Sequence, residues 1–226
     1  MEPLRIPVGD GSVPASFTPA GAGAAASTAG EASALLVLAP GAGAGRDHPF
    51  MLGLSEALAG LGIATLRFDF PYREAGRRFP DRAPAAIATW RAAVDAAGEL
   101  AGGSPIWAGG KSFGGRMASM AVADGMPAAG LILIGYPLHP PGEPERMRTE
   151  HLPEVHVPTL FLQGTKDPFA TPNADLDAVV AKMPTARLEW MPGGGHSFDV
   201  AGRKRAPAEV GASLASRVAA FVAEAR

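Results

Sequence analysis

Three side chains that can pass a proton along a line stand far apart in this chain, each in a glycine-marked setting. They are Ser112 in Gly110-Lys-Ser-Phe-Gly114, Asp167 in Gly164-Thr-Lys-Asp, and His196 in Gly193-Gly-Gly-His. A serine hydroxyl is a weak nucleophile near neutral pH, so acyl chemistry at Ser112 requires a base to take its proton and a third group to orient that base. His196 and Asp167 are the residue types for those two roles, and the chain order Ser, Asp, His is that of one structural class of triad enzymes.

The segment around Ser112 also ends in Gly-Lys-Ser, the tail of a phosphate-binding loop. That reading needs glycine at position 105, where Pro105 stands, and so fails at its first residue. The spacing instead matches G-x-S-x-G, with Gly115 as a further small residue. With 29 glycines in 226 residues, the pentapeptide arises readily by chance, and its context has to carry the argument. The context is a strand before it and a helix after it. A strand ending at Gly110 and a helix beginning at Ser112 leave a tight turn that glycines permit and that pushes the hydroxyl outward. The competing reading of Ser112 is a helix cap after an ordinary strand-to-helix turn.

Other residues compete for the partner roles. Asp69 also ends a strand but precedes the serine and is read as an anchor for local loops. Asp175 and Asp177 fall in the first turns of a helix, where a carboxylate answers the dipole. His139, His151 and His156 occupy a proline-rich stretch and His48 follows a glycine loop; all four are read as solvent-facing. That loop, Gly41-Ala-Gly-Ala-Gly45, follows an apolar strand and can aim backbone N–H groups at the same crevice. The amides of Ala42 and Phe113 are the candidate oxyanion donors. A dinucleotide fingerprint would need glycine where Arg46 stands.

The elements that must position these groups follow from apolar patterning. Leu4 to Val8 and Val13 to Thr18 predict an N-terminal antiparallel hairpin. Ala20 to Ser33 is Ala/Gly/Ser-rich and predicts a flexible loop. Short β-prone apolar runs at 34–40, 63–71, 105–110, 130–135 and 158–164, with a further strand over 186–191, predict strands covered on both faces. Helical spacing over 50–61, 84–100, 112–123, 172–183 and 206–226 alternates with them. The alternation predicts a doubly wound, mostly parallel sheet in a single α/β domain over residues 1–226, with chemistry at the carboxyl edge of the strands.

Composition sets the outer bounds. Charged residues are 19% of the chain, the formal net charge is -2, and cysteine is absent. No polyanion is favoured as a partner, so nucleic acid is not expected, and disulfides, thiolate nucleophiles and cysteine-held metals are excluded. No apolar run approaches the length of a membrane span, and the first residues lack a signal-peptide pattern. These features predict a cytoplasmic protein without a membrane partner, cofactor or metal.

On Gly110-Lys-Ser-Phe-Gly114, Asp167 and His196 in that order, the chain resembles the α/β-hydrolases from Ala34 onward. It is most similar to the dienelactone-hydrolase-like group and its small cap-less relatives. The resemblance implies Ser112 as nucleophile, Asp167 as acid, His196 as base, and Phe113 and Ala42 as oxyanion donors. Pro40 stands where a histidine is common before the first glycine of the oxyanion loop. A serine replaces the cysteine of dienelactone hydrolases proper, which argues against their substrate. Caps in this superfamily follow the strand that here is Leu131 to Ile134, and the proline-rich 137–157 stretch leaves room for a short lid or loop and no large cap domain. Met51, Phe113, Phe169 and Phe198 are candidates to wall an apolar pocket. The loop 72–82, with Arg73, Arg77, Arg78 and Arg82, reads first as a solvated charged loop and second as an anion site. The activity expected is hydrolysis of small carboxylic esters or thioesters through an acyl-enzyme. The alternative is a non-catalytic α/β-hydrolase-fold module for protein interaction, against which the retention of all three polar residues counts.

Overall fold

Two of the central strands are apolar at every position, and in each the side chains divide between two cores. In β3 (Ala34–Ala39), Leu35, Val37 and Ala39 face one buried cluster while Ala34, Leu36 and Leu38 face the other. In β6 (Leu131–Ile134), Leu131 and Leu133 divide from Ile132 and Ile134 in the same way. Successive strand side chains point to opposite faces, so a run without polar alternation requires cover on both sides. Each such side chain taken out of water contributes about 1.5–3 kcal/mol.

The computed structural model of the chain describes residues 4–21 and 33–225. Its strands β1 (Leu4–Val8), β2 (Gly11–Thr18), β3, β4 (Ile63–Phe68), β5 (Ile106–Lys111), β6, β7 (Thr159–Gly164) and β8 (Ala186–Met191) form one sheet in the order β1-β2-β4-β3-β5-β6-β7-β8. β1 and β2 form the antiparallel hairpin, β2 runs antiparallel to β4, and all pairings from β4 to β8 are parallel. The sheet is therefore the doubly wound, mostly parallel one that the alternation predicts. The Ala/Gly-rich loop expected over 20–33 falls for its greater part on 22–32, outside the described residues.

Helices cover both faces. α3 (Ala83–Leu100), α4 (Phe113–Ala123) and α5 (Asn173–Val180) bury Trp90, Met117 and Leu176 in one cluster. On the other face α1 (Pro49–Ala59), α6 (Pro207–Ala212) and α7 (Ala215–Glu224) bury Leu54, Val210 and Phe221. A short α2 (Pro71–Glu74) follows β4. The bounds shift at some ends: the helix expected over 50–61 stops at Ala59, leaving Leu61 49% exposed.

The last helix differs more. The single run expected over 206–226 is broken between Ala212 and Ala215, with Ser213 Oγ turned back onto the Val210 carbonyl at 2.7 Å. The break lets α6 lie against α1 with backbones touching: a Cβ on Gly53 would collide with the Ala208 carbonyl, and one on Gly211 with that of Phe50. Apolar periodicity runs through the break and so does not reveal it.

Candidate active site

Four strands deliver the candidate residues to one edge of the sheet. The carboxyl ends of β3, β5, β7 and β8 lead respectively into the Gly41–Gly45 loop, Ser112, Asp167 and the loop bearing His196. In a parallel sheet these ends share an edge, which is why residues distant in sequence meet there.

Ser112 occupies the turn between β5 and α4 with φ 48° and ψ -114°, a left-handed conformation rare for a residue with a Cβ. Its neighbours show why this turn is glycine-lined. A Cβ on Gly114 would lie 2.5 Å from the Ala39 carbonyl oxygen and 2.6 Å from that of Pro40, and one on Gly110 would strike the Ala39 carbonyl. The sharp turn thus rests directly on the end of β3. Phe113 is the first residue of α4, so its N–H has no carbonyl within the helix to bond.

The three polar side chains converge. His196 Nε2 is 2.9 Å from Ser112 Oγ, and His196 Nδ1 is 2.8 Å from Asp167 Oδ2. Asp167 is fully buried, which is costly for a carboxylate unless its oxygens are satisfied. Oδ1 accepts from the Phe169 N–H at 2.9 Å, and Oδ2 accepts from Gln163 Nε2 at 2.7 Å as well as facing the imidazole. The Phe169 ring lies 4.3 Å from the His196 ring and covers one of its faces.

A cavity of about 320 Å³ opens at Ser112 and His196, walled by Phe50, Met51, Phe169 and Lys111, with Ala42 on its rim. Met51 and Phe169 stand where the sequence predicts a pocket wall. Phe198 does not: it takes φ 64°, turns inward, and stacks on Phe50 with centroids 6.2 Å apart, so it supports the wall from behind. The Phe113 ring likewise packs away from the cavity, edge-on to Phe70 at 5.1 Å.

The competing residues are elsewhere. Asp69 accepts from the Arg46 N–H at 2.6 Å and from Arg46 Nη1 at 2.7 Å, anchoring the end of the Gly41–Gly45 loop. Tyr72 Oη holds the same loop by accepting from the Gly43 N–H at 3.0 Å. Asp177 accepts from Trp190 Nε1, and Asp175 sits in the first turn of α5. Of the histidines read as solvent-facing, only His156 and His48 are exposed, and His48 caps α1 through Nδ1 and reaches the cavity rim. His139 is fully buried with Nδ1 against the Pro140 carbonyl. His151 is half-buried against Ser119. The proline-rich stretch that carries them is buried at Leu138, His139, Leu152 and Val155, and at His151 it touches α4, while positions such as 141–142 and 144–146 stay exposed.

That stretch, 137–157, buries Leu138, Leu152 and Val155 and contributes no side chain to the cavity wall, so the opening stays uncovered from that side. The four arginines of 72–82 also stay out of the cavity. Arg77 pairs with Asp81, Arg78 lies over the Phe79 ring, and Arg82 precedes α3. Among the described residues no group of three His, Asp or Glu gathers as a metal site, and no helix is long and apolar enough to cross a membrane.

Lys111, Phe50 and Gln163 escape a reading of the sequence alone. Two of them left a trace: Lys111 and Gln163 are polar residues at or near the ends of mostly apolar strands, the pattern of a buried polar group with a specific partner.

The pattern of the family described as alpha/beta hydrolase domain matches residues 32–225. The chain belongs to the alpha/beta hydrolase family. Solved structures of similar shape include Est1E from Butyrivibrio proteoclasticus, at TM-score 0.72 and 18% identity over 98% of this chain and 99% of that one. A dienelactone hydrolase from Anabaena variabilis superposes at TM-score 0.72 and 19% identity, covering 99% and 96%. XC6422 from Xanthomonas campestris, described as an α/β serine hydrolase without a lid, does so at 0.74 and 19%, covering 99% and 94%. At these identities the likeness is one of fold. It places this alpha/beta hydrolase beside the dienelactone-hydrolase-like and cap-less architectures.

Proposed function

We propose that the protein is a serine hydrolase that cleaves small carboxylic esters or thioesters through an acyl-enzyme. The observation that carries this reading is the continuous line Ser112 Oγ, His196 Nε2, His196 Nδ1, Asp167 Oδ2, with contacts of 2.9 and 2.8 Å at the floor of an open cavity. Family membership supports hydrolysis in general, and the geometry favours this version of it.

In this mechanism Ser112 Oγ attacks the carbonyl carbon while its proton passes to His196 Nε2. The buried Asp167 accepts from Nδ1–H, fixing the tautomer and stabilising the imidazolium that forms. The carbonyl oxygen, now negative, is met by the Phe113 and Ala42 amides, the first of which also lies at the positive end of α4. Collapse expels the alcohol or thiol, which takes the proton back from Nε2. Water then repeats the sequence on the acyl-enzyme, releasing the acid and restoring Ser112. Phe50, Met51 and Phe169 provide an apolar wall suited to a small acyl group.

Labelling by a fluorophosphonate probe tests the proposal. The folded protein should form a covalent adduct on Ser112 and hydrolyse a short-chain p-nitrophenyl ester, and Ser112→Ala should lose at least about 10⁴-fold in turnover. A folded protein that takes no label, or a Ser112→Ala variant labelled as fast as the parent, refutes it.

A further inference from the structure

The residue before the nucleophile lies within the site yet has no part in the proton relay. Lys111 ends β5, and its side chain forms part of the cavity wall. Its Nζ donates to the backbone carbonyl of His196 at 2.9 Å and sits 6.0 Å from the centroid of the Phe50 ring. The contact therefore joins the neighbour of Ser112 to the residue that carries the base.

The loop bearing His196 is fixed to the segment after β7 just before that residue, with Gly193 N–H donating to Thr165 Oγ1 at 2.8 Å and Lys166 N–H donating to the Gly194 carbonyl at 2.8 Å, while among the described residues the carbonyl of residue 196 itself is held by Lys111. Between β8 and α6 the backbone is irregular, with isolated bridges at Gly194 to Val200 and Val200 to Arg203. Two further bonds, from Gly195 N–H to the Asp199 carbonyl and from Phe198 N–H to the Gly195 carbonyl, close a turn around position 196 without engaging its own carbonyl. Behind the carbonyl stands Gly135 at φ 61°, where a Cβ would come within 3.2 Å of the same oxygen. The carbonyl is thus pulled by Lys111 and backed by a residue that leaves it just enough room.

We infer that Lys111 is a positioning residue, whose ammonium holds the His196 backbone so that Nε2 stays aligned with Ser112 Oγ. This rests on the serine-hydrolase reading above. The tie is charge-assisted, and such bonds are roughly twice as strong as neutral ones. The charged groups that act on the ammonium are Asp167 and Asp199, and the imidazoles of His196 and His48 line the same cavity. Burial lowers Lys111 to about 8, with Asp167 and Asp199 acting in the opposite sense. The ammonium is present below that pH and lost above it, so alignment weakens as pH rises through about 8. A guanidinium at the same position stays charged throughout.

The experiment compares the parent protein with Lys111→Met and Lys111→Arg, reading fluorophosphonate labelling rate and the kcat and KM of a neutral p-nitrophenyl ester between pH 6 and 10. Lys111→Met should lower labelling rate and kcat at pH 7 by about 10- to 100-fold, the scale of a misplacement near 1 Å, with KM within about twofold. The parent kcat should fall above about pH 8, and Lys111→Arg should move that fall upward. Three results overturn the inference: a Met variant within twofold of the parent in kcat, a rise in KM with kcat unchanged, or the same alkaline fall in the Arg variant. Should circular dichroism show Lys111→Met to be unfolded, the alkaline limb of the parent against that of Lys111→Arg decides on the same terms. A parent protein with neither labelling nor turnover removes the serine-hydrolase reading itself, a result distinct from an active parent indifferent to position 111.

Discussion

Helix α4 takes part in two serine–histidine contacts of nearly equal length, and they stand in different surroundings. At its N-terminus Ser112 meets His196 Nε2 at 2.9 Å; two turns on, Ser119 meets His151 Nε2 at 2.8 Å. Ser119 is fully buried, and its Oγ donates to the Arg116 carbonyl at 2.8 Å, so its one proton is already spent and the imidazole N–H must donate to the hydroxyl. No carboxylate among the described residues pairs with His151, whereas Asp167 stands behind His196. Burial first, then the nearby Arg116, lowers His151 to about 4 and keeps it neutral. A serine and an imidazole in contact therefore do not make a site. What separates the two pairs is the direction in which the proton is free to move, the third group behind the ring, and a turn that brings the hydroxyl to a cavity.

That contrast is open to test at both ends. The largest effect should come from Asp167→Asn, which removes the third group while keeping its shape. Turnover is expected to fall by about 10⁴-fold with a cooperative unfolding transition retained, and a fall of less than tenfold would make the two pairs chemically equivalent. His151 provides the middle test. Its folded-state value of about 4 lies below the ordinary 6.5, so between these pH values the unfolded chain binds a proton that the folded chain does not. Stability is complete above about 6.5 and declines as pH falls toward 4. Allowing for partial exposure, the loss attributable to this group is on the order of 2 kcal/mol. Urea unfolding across that range should show a steeper decline in the parent than in His151→Gln, and parallel curves would contradict the assignment. The smallest effect is expected from Ser119→Ala, about 1 kcal/mol in unfolding free energy from a lost hydrogen bond and fluorophosphonate labelling within twofold of the parent. Mass spectrometry locating the adduct on Ser119 would reverse the roles of the two pairs.

The parallel strands were legible because their runs are short and mostly apolar, without strict polar alternation, which admits few arrangements other than cover on both faces. Ser112, Asp167 and His196 were legible because each follows such a run within a few residues, so the sheet itself brings them to one edge. What escaped depends on contacts between elements. Phe198 has the composition of a pocket residue, but its left-handed backbone directs it into the core. The break after Ala212 follows from the close approach of α6 to α1, and an apolar stripe cannot report backbone contact. His139 and His151 lie in a polar, proline-rich segment, and their settings depend on partners from other elements, the Phe169 carbonyl for His139 and Ser119 of α4 for His151. Lys111 had the most local trace, a charge at the end of a buried strand, but its partner is a main-chain carbonyl that no side-chain pattern encodes.

The bare backbone contact between α1 and α6 reaches further than packing. α1 supplies Phe50 and Met51 to the cavity, and at Gly53 and Gly211 nothing but main chain separates it from the segment that follows the His196 loop. The α6 segment is thus the outer masonry of the cavity, one course removed. Widening either glycine by a methyl would push on the wall of that cavity, so its shape can be altered from a buried helix seam that is no part of its lining.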